Sequence, residues 1–201
     1  MIDLLTDCKP VALSSEQLIT GFDCGDSDLN DFFNNDAIHY QNQLLGQTYF
    51  FRTIKTDEIV CAFSLSADSL KTYFLPGSRR KKIKEYIPHE KSLQSYPALL
   101  IGRLGVSTDW NGQGLGSQLI NYIRYFCLSK YLYLGRFLVV DAYNSPDVLN
   151  FYQKNDFLFV FSTEQQECEN LRKSPNNLEP LPTRQMFYDM MRWKLTHEIN
   201  P

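Results

Sequence analysis

The chain has 201 residues, 20 of them basic and 23 acidic, with 43% apolar and 14% aromatic residues. That length suits a single domain, residues 1–201, since one core grows to roughly 100–200 residues before a chain divides. The net charge of −3 excludes the whole-chain basic field of a protein that clings to phosphate backbones or anionic lipid. Asp3 and Asp7 stand where a secretory leader carries basic residues, and no apolar run nears the ~18 residues of a membrane span, so a cytoplasmic protein without membrane contact is expected. Five scattered cysteines and three scattered histidines suggest free thiols and no metal site.

Asp26, Ser27 and Asp28 precede Leu29, Phe33, Ala37, Tyr40 and Leu44 at helical steps, which predicts a capped helix over about 28–45, ended by Gly46. Residues 48–55 and 59–67 are aromatic and β-branched around Thr56-Asp57-Glu58 and predict an antiparallel hairpin. A polar stretch over 76–97 follows, with Arg79, Arg80, Lys81, Lys82 and Lys84. Such a run is a solvated face more often than a phosphate-contacting patch.

Residues 98–106 read as a buried strand, 107–116 as a glycine-rich turn, 115–132 as a helix and 137–142 as a second buried strand. That is a βαβ unit, for which a parallel, right-handed crossover is expected. Pro146 opens a further helix, 157–162 is strand-like, 163–185 reads as a long loop or insertion, and 186–193 as a terminal strand.

Gly112, Gly114 and Gly116 alternate at the mouth of a helix, where missing side chains admit close backbone approach and the helix dipole favours an anion. A tight structural turn accounts for them equally well. A dinucleotide site, with Asp141 on a ribose, is disfavoured because Ser117 stands at the third glycine position and too few β-α units follow. A Walker A loop is excluded because no Gly-Lys-Ser/Thr follows.

The stretches Arg103-Leu104-Gly105-Val106, Asn111 to Gly116, Val140 to Asn144 and Asn150 to Phe157, in that order, resemble the GCN5-related N-acetyltransferase (GNAT) superfamily. The resemblance implies an α/β fold: a central, mostly antiparallel mixed sheet with two parallel splayed strands, 98–106 and 137–142, and flanking helices. It implies an acyltransferase with acetyl-CoA as co-substrate and no metal. The main chain of Asn111, Gly112, Gln113, Gly114, Leu115, Gly116 and Ser117 would hold the pyrophosphate, and Leu104, Gly105 and Val106 would run beside the pantetheine, an amide near Val106 polarising the thioester carbonyl. Asn144 would contact CoA. Tyr152, on composition alone a core residue, would protonate the departing thiolate.

The sequence departs from the family at Asn111, where Gln or Arg is usual, and at Asp156, where Gly is usual. One extra residue also separates Asn144 from Tyr152. No protein nucleophile is required for direct attack by an amine. Asp68, Glu85, His89 and Glu90 are open as proton acceptors. Phe22-Asp23-Cys24-Gly25 with Leu29 and Thr48 to Phe51 resembles a subgroup that includes toxins acetylating aminoacyl-tRNA. Such toxins are usually basic and shorter, so the expected acceptor is a small-molecule or peptide amine, with tRNA or a noncatalytic acetyl-CoA-binding module as alternatives. The aromatic content admits a homodimer.

Overall fold

The computed structural model describes residues 2–85, 87, 93–130, 135–171 and 180–197. Seven strands lie in the order β1-β2-β3-β4-β5-β7-β6: Cys8–Ala12, Gln47–Thr53, Ile59–Lys71, Ser95–Val106, Phe137–Tyr143, Thr183–Asp189 and Leu158–Phe159. β1 with β2, β2 with β3, β5 with β7 and β6 with β7 pair antiparallel, while β4 and β5 pair parallel from Ala98↔Phe137 to Leu100↔Val139. The expected mixed sheet with its two parallel strands is therefore present. The residues form two compact units, 1–67 with 101–126 and 68–100 with 127–201, so β3 and β4 contribute to both.

In the first unit β2 is buried on both faces, which is why it reads as the continuous run Thr48-Tyr49-Phe50-Phe51 rather than as an alternation. Phe50 packs with Leu13, Ile19, Phe22, Phe32, Phe33, Ala37 and Ala62. Phe51 meets Tyr122, and Tyr49 meets Phe126, edge-on at 4.7 and 4.8 Å, both partners on α4 (Leu115–Lys130). Pro10 in β1 is tolerated because β1 is the first strand of the sheet order, an edge, where a missing N–H donor does no harm.

The helix expected over 28–45 is shorter and is interrupted. Asp26 caps α1 (Ser27–Asp31) by accepting from the Leu29 N–H at 3.0 Å, a π turn follows over Phe32–Asp36, and α2 runs over Ala37–Asn42. Leu44, at φ 60, takes the left-handed position after α2. Gly46 has a different role: a Cβ there would meet the Leu65 carbonyl at 3.0 Å.

In the second unit Phe137, Val139 and Phe187 join Leu70, Leu75, Ile83, Tyr96, Val160 and Phe161 in one core. The polar stretch after 76 holds a helix, α3 (Gly77–Ile83), which the sequence hides because its apolar residues are so few. The strand expected over 157–162 shrinks to β6, because the Phe159 and Val160 carbonyls accept from the Arg79 guanidinium. α5 (Pro146–Lys154) begins on its proline as expected. The supposed insertion contains α6 (Glu164–Asn170), capped by Thr163, and the start of β7; residues 172–179, with Pro175, lie outside the described residues. The terminal strand stops at Asp189, whose carboxylate accepts from the Met191 N–H and starts α7 (Met190–Thr196). Asp189 also forms a two-pronged pair with Arg136 at 2.7 and 2.8 Å.

All five cysteines are free. Burial pushes the Cys8 thiol up to about 11 and that of Cys127 to about 12. No helix among the described residues is long and apolar enough to cross a membrane, and no group of three or more potential metal ligands occurs among them.

Candidate active site

In the first unit the end of β4 runs into a turn and then the glycine loop. Gly105 is buried, and a Cβ there would lie 3.1 Å from Cys24 Sγ and 3.3 Å from Phe22, so only glycine admits the 22–25 segment so closely. That segment is stitched in place. Asn30 Oδ1 accepts from the Cys24 N–H, Asn34 bonds Phe22 through both its N–H and its carbonyl, and the Thr108 N–H donates to the Asp23 carbonyl at 2.9 Å. Arg103 lies 5.1 Å from the Phe32 ring centroid and 3.8 Å from Asp28.

Gly112 and Gly114 both sit at φ +75, and a Cβ on either would meet nothing within 4 Å. Their left-handed backbone builds the turn, and the space above it is open. α4 begins at Leu115, which is buried, while Ser117 is exposed. The first turn of this sixteen-residue helix offers N–H groups without intrahelical acceptors, at the positive end of its dipole. Open space, glycine main chain and helix start together suit an anion. Asn111 is extended and exposed, so its side chain does not shape the turn. Gln113 and Gln118 face the chain's start, accepting from the Ile2 and Leu4 N–H groups at 3.2 and 2.9 Å.

Asn144 and Tyr152 lie in the second unit. Asn144 donates through Nδ2 to Glu164 Oε1 and to the Leu181 carbonyl, at 2.9 and 2.8 Å, so its amide N–H groups brace α6 and the approach to β7. Tyr152, on α5, is buried against Phe151 and Phe157 at 5.0 and 5.3 Å. Burial holds its phenol well above the ordinary value of 10. Asp156, where glycine is usual in the resembled family, has φ 61: the left-handed backbone is retained, by a residue type that tolerates it.

The second unit also contains a cavity of about 690 Å³. It is lined by Asp68, Asp141, Glu167 and Glu169, with Lys71, Gln185 and the rings of Tyr73, Phe74 and Phe161. Desolvation, aided by the charge of Asp68, pushes the Asp141 carboxyl up, against a 3.5 Å hydrogen bond from Gln185. Of the open proton acceptors, Asp68 lines this cavity, Glu85 is exposed after α3, and His89 and Glu90 lie outside the described residues. Asp141 had no signal of its own as an acceptor-side residue. Strand register places it, directly across from Gln185.

Residues 75–157 match the family model described as an acetyltransferase (GNAT) domain. A tRNA-acetylating toxin of Mycobacterium tuberculosis is 26% identical over 111 residues, which are 55% of this chain and 60% of that protein. Among solved structures, AtaT complexed with acetyl-methionyl-tRNAfMet aligns with a TM-score of 0.68 at 18% identity, over 94% of this chain and 99% of the other. AtaTR bound with AcCoA aligns with a TM-score of 0.67 at 18% identity, over 94% and 98%. At these identities the structural alignments establish the fold.

Proposed function

We propose that this chain, which carries a GNAT acetyltransferase domain of the acetyl-CoA-dependent acyltransferase class, acetylates the α-amine of an aminoacyl-tRNA, residues 1–201 acting as one domain in the cytoplasm. The observation that carries the donor half is the unobstructed left-handed pair Gly112 and Gly114 at the head of α4. The acceptor half is supported by relatives whose substrate or bound ligand is tRNA. They weigh against the small-molecule or peptide acceptor that the acidic composition suggests.

Acetyl-CoA supplies the acyl group as a thioester, so the new N–C bond forms as the C–S bond breaks. Main-chain N–H groups from Gly112 to Ser117 would hold the pyrophosphate, Asn111 flanking them because its own N–H donates to the Thr108 carbonyl, and the β4 backbone at Leu104, Gly105 and Val106 would serve the pantetheine and polarise the carbonyl. Burial raises the Tyr152 pKa and so keeps the phenol protonated near neutral pH, and Tyr152 would deliver that proton to the leaving sulfur. Asn144 would contact CoA with its amide oxygen, its Nδ2 being engaged by Glu164 and the Leu181 carbonyl. An α-amine titrates near ~8, against ~10 for a lysine amine, so an aminoacyl acceptor sheds its proton with less help from a base.

The test is a thiol-release screen with charged tRNA, free amino acids, peptides and polyamines. Charged tRNA should be acetylated, and Tyr152→Phe should lower turnover by ~100- to 10,000-fold while acetyl-CoA still raises the melting temperature. Transfer to peptides or polyamines with none to charged tRNA would replace the acceptor. Full turnover in Tyr152→Phe, where chemistry limits the rate, would return Tyr152 to a packing role.

A further inference from the structure

The cavity of the second unit and the basic helix beside it carry opposite charges. Glu167 is neutralised within the wall: its carboxylate accepts from Arg184 Nε at 2.6 Å and from the Gln185 N–H at 2.7 Å. Asp68, Asp141 and Glu169 remain against Lys71. Phe74 and Phe161 stack at 5.6 Å with their planes 8° apart and add aromatic surface to the same wall. Carboxylates together with aromatic rings suit an alkylammonium group, and they repel a phosphate.

α3 hangs from this wall. It begins shortly after Phe74, and its Arg79 clasps the carbonyls of Phe159 and Val160, immediately before Phe161. Arg79 is thus spent on structure and partly desolvated. Arg80, Lys81 and Lys82 are exposed and form no ion pair with the described residues. A simple polyanion would be repelled by the cavity and a simple cation by the helix. A ligand matched to both is a polyanion that ends in an ammonium group.

We propose that the acidic cavity receives the ammonium-bearing aminoacyl end of the acceptor, and that Arg80, Lys81 and Lys82 hold the RNA phosphates next to it. This rests on the aminoacyl-tRNA reading above and assigns its two charges to two places. The basic run is therefore a binding surface, without Arg79.

Two measurements separate the parts. Binding of uncharged tRNA, followed by fluorescence anisotropy over a range of salt, reads the helix alone. Each phosphate contact contributes about 0.7–0.9 to the slope of log K against log salt, so R80Q/K81Q/K82Q should flatten that slope by about 2–3 and weaken binding at least tenfold. Lys55→Gln, exposed in the first unit, should lower it by no more than a small fraction of that. Acetylation of charged tRNA by D68N/D141N reads the cavity: KM should rise about tenfold or more, the loss of charge-assisted hydrogen bonds to an ammonium, while the binding slope for uncharged tRNA persists. Retained melting shifts with acetyl-CoA certify that both variants are folded. An unchanged salt slope in the triple variant, or loss of uncharged-tRNA binding in D68N/D141N, overturns the proposal. Failure of the parent protein to acetylate charged tRNA while it binds uncharged tRNA through α3 would instead remove the acceptor reading.

Discussion

The two compact units build their working surfaces from different materials. In the first, the candidate cofactor loop is almost all main chain: two left-handed glycines, the exposed Asn111 that does not shape the turn, and the opening N–H groups of α4. In the second, the cavity consists of charged side chains and rings, with Glu167 of its wall held by Arg184. A main-chain site resists changes of side-chain chemistry and fails when bulk is added. A side-chain site does the reverse.

The contrast is sharpest at Glu167. Glu167→Ala leaves the buried Arg184 guanidinium with Glu164 at 3.9 Å as its remaining carboxylate among the described residues, the Glu167 and Arg184 side chains being 5% and 9% exposed, so the loss should approach, without exceeding, the roughly 3–5 kcal/mol of a fully unpaired buried charge. Urea denaturation should show that loss; a value under about 1 kcal/mol would mean that solvent screens the pair. Gly114→Val tests the other material. A β-branched residue at φ +75 should lose about 1–2 kcal/mol from backbone strain alone. Its larger consequence is functional: the rise in melting temperature produced by acetyl-CoA should vanish, while NADH and ATP stabilise neither parent nor variant.

The smallest effect belongs to Asp141→Asn and has a sign that reveals its cause. Because the fold raises the Asp141 pKa above its unfolded value, the native state binds its proton more tightly. The charged carboxylate therefore destabilises the fold above its folded pKa, and the penalty disappears below the unfolded value near 3.8. Asp141 is partly exposed, so water screens much of this penalty, and Asp141→Asn should raise the melting temperature at pH 7 by no more than about 1–2 °C. The gain should shrink to nothing in acid. An equal gain at every pH would trace it to packing.

The same contrast decides what was legible in the amino-acid sequence. The loop is contiguous, and its glycines, the preceding apolar strand and the spacing of Leu115, Leu119 and Ile123 state a strand, a turn and a helix over residues 98–123. The cavity is dispersed. Asp68, Asp141, Glu169 and Gln185 sit on four separate elements, and only register and packing gather them. α3 escaped because five of the residues over 79–84 are basic, leaving no periodic apolar face, and its anchor is a guanidinium on two carbonyls. α7 escaped because Met190, Met191 and Trp193 suit a strand as well as a helix; Asp189 before them was the capping signal that distinguishes the two. At Asp156, where glycine is usual in the resembled family, the backbone takes the left-handed conformation that glycine would allow.

The π turn at Phe32–Asp36 has a consequence for how this segment can change over time. The Ala37 N–H reaches back to the Phe32 carbonyl, five residues, so one more residue is accommodated than an α-turn would hold. Phe32, Phe33 and Ala37 are all buried as a result. An insertion is absorbed where it occurs, as a local bulge, and α2 downstream is not rotated by the ~100° that one added residue would impose on a regular helix. The stretch that bears Asn30 and Asn34, which fasten the segment against Gly105, can therefore take up a one-residue change in length while the faces of the helix beyond it stay where they are.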